Sequence, residues 1–390
     1  MNIKKTRVIF VDKLFQNKNV TPRKVNIDFK LLTLYLKAGK IFGVSYYFMA
    51  EKRRNNKCNT FCFKIFGIFI SIIMTIMSYL ISQAKYGRTT HPAMIAVLIM
   101  LRISSTMFLL YYVFSLLLTK KKYWQKLYDK IFTLENILNT CETFESNHWW
   151  LVSLKIVMVC SFLPLMGISL WYVQNFIGAE TLTIRAVVFQ GCANSVYKIL
   201  ISLYYILLSN WLEYRYKSMA EYLKLVVDKY YKFVVIRRIA VSLKLADSIV
   251  KITNNLYGGI LFLNFIVSIL QILVNISATL DYSDIRGIEL VLFIMTSVCN
   301  LFVMVLVTMS CDAVEKASNQ LSKTCYWLHE IIDDEEVKKQ LLVLVKYEEE
   351  WNPIFSAGGF FNVNQSCLTT FFSSIFTYLV IIVQYNMGNN

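Results

Sequence analysis

The polar side chains set inside long apolar runs are the part of this sequence able to do chemistry. Gln384 lies three residues after Ile381 and seven after Thr377, so the three share one helical face. If that face borders an axis, a ring of neutral amides beside apolar side chains makes a constriction that passes hydrated cations with weak selectivity. The plainer alternative is an amide that caps packing at a membrane surface, and the residues alone favour it. Arg102 stands ten residues past Pro92, Lys198 is similarly deep in its own run, and neither finds an acidic partner within the runs. Ionisable groups in hydrocarbon are expensive and mark functional cavities. Arg102 and Lys198 therefore point to a water-filled pocket near Gln190, Asn194 and Gln271 that a ligand could enter. Satisfaction by backbone carbonyls, by Ser104 and Ser105, or by snorkelling is the competing account. Lys64 and Lys155, near run ends, are expected to snorkel.

Other chemistries have no constellation behind them. The sequence holds no Gly-rich phosphate loop, no H-E-x-x-H and no Gly-x-Ser-x-Gly elbow. His91, His148 and His329 are scattered over three segments and the nine cysteines form no C-x-x-C, so neither a metal site nor a cofactor is expected. Proton coupling would favour an acidic residue within a run, and only Glu289, at an outer edge, comes near. The net charge of +16 alternates by loop instead of forming one patch, which argues against nucleic acid as a partner.

The elements that must position these residues are membrane helices. At 56% hydrophobic and 17% charged, the chain cannot hide its apolar residues in one soluble core. A helix needs about 20 mostly apolar residues to cross the bilayer. Seven runs meet that length: Phe61–Gln83, Ala93–Leu118, Leu151–Val173, Val187–Leu212, Asn254–Ile276, Gly287–Cys311 and Gly358–Tyr385. Of 41 Lys and Arg, 33 fall on the start and on the gaps 119–150, 213–253 and 312–356, against four (Lys85, Arg88, Arg185, Arg286) on the alternate gaps. Cytoplasmic segments keep the basic residues, so the N-terminus is read as cytoplasmic and the C-terminus as extracellular. The nine cysteines then map to spans or cytoplasmic gaps, and no disulfide framework is expected. No cleavable signal is visible in the first 60 residues.

The expected fold is an all-α membrane protein, a single bundle of seven transmembrane helices continued into the cytoplasm. Residues 1–60 form a cytoplasmic N-terminus with an amphipathic or re-entrant segment at 31–49, and 61–311 hold spans 1 to 6. Residues 312–357 form a cytoplasmic segment, 358–385 the last span and 386–390 an extracellular tail. Helical spacing of Met219, Tyr222, Leu223, Val226 and Tyr230, and again of Val337, Leu341, Leu344 and Trp351, marks stripes that must bury against something.

The last run carries the specific signal: Gly359-Phe360-Phe361-Asn362-Val363-Asn364, then Thr377-Tyr378-Leu379-Val380-Ile381-Ile382-Val383-Gln384-Tyr385. This resembles the insect gustatory receptor family. Its signature is Thr-Tyr, five apolar residues and Gln-Phe near the C-terminus, preceded by a Gly-aromatic stretch at the start of the same helix. Eight of nine positions fit, and Tyr385 replaces the usual Phe. The resemblance implies a ligand-gated cation channel of the insect chemoreceptor superfamily, a homo- or heterotetramer with other gustatory receptors, in which the seventh helices surround one pore. It assigns the constriction to Ile381, Gln384 and Tyr385, beside Val380, with Thr377 facing the pore. It also implies that cytoplasmic helix ends form the main intersubunit anchor, to which the stripe at Val337, Leu341, Leu344 and Trp351 would contribute.

By the same resemblance the ligand enters from outside among spans 2 to 6. Arg102, Trp171, Tyr172, Gln190, Asn194 and Gln271 become candidate pocket residues, although aromatic residues near span ends commonly form an interfacial belt. Sugar receptors of the family carry Glu directly after Thr-Tyr. Leu379 stands there, so a bitter or other aversive tastant is expected, with a fructose-type or internal nutrient sensor still open. Partners would be a small-molecule tastant and membrane lipid, and the location the plasma membrane of taste-neuron dendrites. A polytopic transporter, or a receptor signalling through a partner protein, is the rival class. A receptor coupled to G proteins would have its N-terminus outside, the reverse of the orientation read here. The gap 312–356 carries ten acidic and five basic residues, so Asp333 to Glu336 and Glu348 to Glu350 could concentrate cations near an inner mouth or simply form a solvated face. Asn275-Ile276-Ser277 and Asn364-Gln365-Ser366 are formal glycosylation sequons.

Overall fold

The computed structural model describes residues 27–41, 121–139, 182–225, 232–281 and 287–388, with parts of 99–111 and 153–156. The first expected span, Phe61–Gln83, lies outside the described residues, as do most of the third, Arg102, Trp171 and Tyr172. The elements are α1 (Ile27–Ile41), α2 (Lys121–Asn139), α3 (Leu182–Leu225), α4 (Lys232–Asp281), α5 (Gly287–Ile331), α6 (Glu335–Glu350) and α7 (Gln365–Gly388). No proline interrupts any of them, which removes the commonest cause of a kink. Among the described residues the β-type pairing is a single bridge, Ser356 with Asn362.

Length decides the architecture. The helices α3, α4 and α5 have 44, 50 and 45 residues, which at 1.5 Å per residue is about 66 to 75 Å, more than twice the roughly 30 Å of bilayer hydrocarbon. Ser195–Lys224, Phe233–Ile276 and Ile294–Ile331 are long and apolar enough to cross a membrane, and Ile99–Phe108 and Gln365–Ile381 are shorter apolar stretches. The overshooting ends change pattern from continuously apolar to a stripe. Val314, Ala317, Leu321, Cys325 and Leu328 of α5 are buried at three- and four-residue spacing, as are Ile236, Ile239, Leu243, Ala246 and Ile249 of α4. Such stripes interlock as an extramembrane bundle because each helix has one apolar face to cover.

At the centre lies α3, packed most extensively against α5, while α2 and α6 each lie on α4. An aromatic cluster joins α2, α3 and α4: Tyr204 meets Tyr257 at 4.6 Å and Trp124 meets Tyr257 edge-on at 5.6 Å. The Tyr204 hydroxyl also lies 3.2 Å from that of Thr253. Such pairs add about 0.5–1.5 kcal/mol each beyond area burial.

Several of the expected features fall on described residues. The segment expected at 31–49 as amphipathic or re-entrant contributes a 15-residue helix, α1, too short to span at about 22 Å. It lies on α3 with Leu32 and Leu36 buried and the Tyr35 hydroxyl donating to the Leu200 carbonyl at 2.5 Å. The stripe Val337, Leu341 and Leu344 is buried inside its own chain, each at 1% exposure, because α6 packs back on α4 and α5. These three residues are therefore spent within the subunit, while Trp351 of the same stripe is half-buried and the outer α6 residues Leu342, Val343 and Tyr347 are exposed. The Lys155 ammonium has partners within its own chain: it donates to Asn210 Oδ1 at 2.9 Å and Ser310 Oγ at 3.2 Å, between α3 and α5.

Candidate pore helix and its seat

The last helix, α7, begins at Gln365 and not at Gly358, because the seven residues before it turn. Gly358 and Gly359 sit at φ of +63° and +83°, a region where a side chain is strained. Around them Val363 N–H donates to the Phe355 carbonyl at 2.8 Å and Ala357 N–H to that of Phe361 at 2.9 Å. The Gly-aromatic stretch is thus a tight hairpin beneath the helix. A side chain from α5 caps the helix start: Asp312 Oδ1 accepts from the Gln365 N–H at 3.2 Å, and its other oxygen pairs with Lys316 at 2.6 Å. A carboxylate there satisfies an orphan N–H and favours the positive end of the helix dipole.

Among the described residues, only one side of α7 is covered by its own chain. Cys367 and Leu368 are buried and Phe371, Ile375 and Leu379 half-buried, facing α4 and α5. At 100° per residue the opposite side carries Ser366, Thr370, Ser373, Thr377 and Gln384, all exposed. Four hydroxyls at three- and four-residue spacing thus form a polar stripe that Val380 and Ile381 interrupt before the Gln384 amide. Ser374 and Thr377 donate to the carbonyls of Thr370 and Ser373, each at 2.9 Å, which leaves their oxygens free to accept from outside. Flanking the stripe, Phe376 is 67% and Ile381 52% exposed, and an open groove of about 440 Å³ runs between Phe372, Ser373, Ile375, Phe376 and Leu379.

Of the residues expected at a constriction, Thr377, Ile381 and Gln384 share the uncovered side and Val380 is half-buried beside them. Tyr378 is exposed on another face, and Tyr385 belongs to α7 with its side chain outside the described residues. Ser366, Thr370 and Ser373 were not singled out by sequence reasoning, although their three- and four-residue spacing is a readable signal. Of the six candidate pocket residues, only Gln271 has a described side chain. Gln190 and Asn194 lie in α3 with undescribed side chains, and Arg102, Trp171 and Tyr172 lie outside the described residues. Gln271 donates to Asn275 Oδ1 at 3.1 Å, and Asn275 in turn donates to Thr296 and Ser297 of α5, each at 3.0 Å. Asn275, 4% exposed and so bonded, is in no position to accept a glycan. Glu348 is likewise buried and accepts from the Ser322 hydroxyl at 2.5 Å, so it is not part of a solvated acidic face.

Long apolar helices, an overshooting bundle and a terminal helix with one uncovered side define a polytopic helical membrane protein. The sequence matches the 7tm chemosensory receptor family over residues 32–389, and the chain belongs to that family. Its fold is similar to the insect olfactory receptor OR5 from Machilis hrabei, with a TM-score of 0.61 at 14% identity, covering 92% of this chain and 97% of that one. The same receptor in complex with eugenol matches with a TM-score of 0.59 at 11% identity, covering 97% and 99%. No curated protein matches the sequence. The seven-span chemoreceptor fold expected from the last run therefore holds.

Proposed function

We propose that this chain is a gustatory receptor, a tastant-gated and weakly selective cation channel in which four copies of α7 surround one pore. The observation that carries this is the set of polar residues Ser366, Thr370, Ser373, Thr377 and Gln384, exposed on the side of α7 turned away from the described part of its own subunit. Alone in a bilayer, that stripe would face hydrocarbon. Around a symmetry axis it lines water, and the apolar flanks with their groove meet neighbouring helices. Ile381 and Gln384, with Tyr385, form the narrowest ring, Val380 packs behind it and Thr377 lies one turn deeper.

The ligand class follows from the relative seen with eugenol, a small organic molecule. With Leu379 directly after Thr377-Tyr378, a bitter or otherwise aversive tastant is favoured over a sugar. The basic gaps put the N-terminus in the cytoplasm and the tail after Gly388 outside, in the plasma membrane of taste-neuron dendrites. Recording from cells expressing the chain, alone and with other gustatory receptors, against a panel of bitter compounds tests this. Evoked current without any G protein, with unitary conductance altered by Gln384→Ala, is the expected result. Responses that require a G protein or another signalling protein, or wild-type conductance in Gln384→Ala, overturn it.

A further inference from the structure

One face of α4 follows the linker between α6 and α7 step by step. Asn254, Gly258, Phe262 and Phe265 recur at helical spacing along it. Asn254 Nδ2 donates to the Ile354 carbonyl at 2.9 Å, and its Oδ1 accepts from the Ser356 N–H at 3.0 Å. One turn on, a Cβ at Gly258 would stand 2.8 Å from the Gly358 nitrogen and 2.9 Å from the Ser356 carbonyl oxygen, so no side chain fits between helix and linker. Phe262 then stacks on Phe360 at 4.1 Å, and Phe265 stacks on Phe371 of α7 at 5.2 Å.

The two Asn254 bonds complete a pattern. Along 354–357 the Phe355 carbonyl and Ala357 N–H pair inward with the hairpin, while the Ile354 carbonyl and Ser356 N–H point to Asn254. A carboxamide offers one donor and one acceptor much as a peptide unit does, so Asn254 takes the place of a neighbouring strand. Both edges of the linker are thereby fixed.

We infer that Asn254 is a positioning residue for gating, resting on the channel reading above: its amide locks the register between α4 and the linker, so that movement of α4 reaches the foot of α7. Without it the linker would yield and α7 would open and close independently of α4. Asp keeps only the acceptor, Ala keeps neither bond, and Gly258→Ala retains both groups but forces the linker outward.

The test uses the purified full chain in two measurements. Hydrogen–deuterium exchange over residues 354–364 is expected to quicken about tenfold in Asn254→Ala and less in Asn254→Asp, the equivalent of one to two net hydrogen bonds. In planar bilayers of phosphatidylcholine and phosphatidylethanolamine, the probability of spontaneous opening is expected to change about tenfold in Asn254→Ala at unaltered unitary conductance. Gly258→Ala is expected to shift opening also. Wild-type exchange in Asn254→Ala overturns the clamp, and faster exchange with wild-type opening overturns its role in gating. A wild-type chain that passes no current overturns the channel reading instead, and the exchange data keep that failure distinct.

Discussion

Glu135 of α2 and Arg215 of α3 form an ion pair with both side chains at 2% exposure or less, and the Trp211 indole donates to the second Glu135 oxygen at 3.1 Å. Two charges this enclosed have lost their hydration, so neither tolerates the loss of the other. Arg215→Met is expected to lower stability by roughly 3–5 kcal/mol, and Glu135→Leu combined with Arg215→Met to recover most of it. Apparent melting of the detergent-purified chain would show both. Sequence reasoning counted Arg215 only among the basic residues of a gap and did not single out Glu135. Eighty positions separate the two, and no local pattern pairs them. Thr377, Ile381 and Gln384 were legible because their relation is the pitch of one helix.

At the scale of elements, the seat of α7 can be tested through its cap. Asp312→Ala removes the acceptor for the Gln365 N–H and the partner of Lys316, and is expected to cost about 1 kcal/mol. Hydrogen exchange in the first turn of α7 would rise about fivefold at that cost, with the middle of α3 unchanged. The contact of α2 with α4 has a pH signature. Burial lowers the Lys130 ammonium below the ordinary lysine value, Lys126 and Lys244 push it the same way and Asp247 opposes them, while Lys130 donates to the Ser248 hydroxyl. A base lowered by folding binds fewer protons in the folded than in the unfolded chain between the two values, so its contribution to stability grows as pH rises through that window. Lys130→Gln is expected to flatten the rise in melting temperature as pH approaches about 10.4, followed by intrinsic fluorescence. The helices themselves were readable from apolar runs and three- and four-residue stripes. The start of α7 was not, since a Gly-aromatic stretch reads as helix until Gly358 and Gly359 are seen at positive φ.

For the whole molecule, the exposed side of α7 and the outer face of α6 call for company. Leu342, Val343 and Tyr347 of α6 remain exposed once Val337, Leu341 and Leu344 have turned inward. Native mass spectrometry of the detergent-solubilised protein is expected to give four copies, and Tyr347→Glu to reduce that fraction without unfolding the chain. An epitope placed after Asn390 is expected to be stained on intact cells. Staining only after permeabilisation would remove both the odd number of crossings and the outward tail.

Composition, run length and the distribution of basic residues determined that this is a helical membrane protein of about seven spans. The terminal motif determined its family, because these signals are local and each helix carries them alone. Tertiary structure decided which stripes are spent within the chain, that Lys155 is held by Asn210 and Ser310, and that Asn254 stands in for a strand beside the linker. A periodic sequence states which face of a helix must be covered and is silent on what covers it. The partner is chosen by packing between segments as much as 165 residues apart.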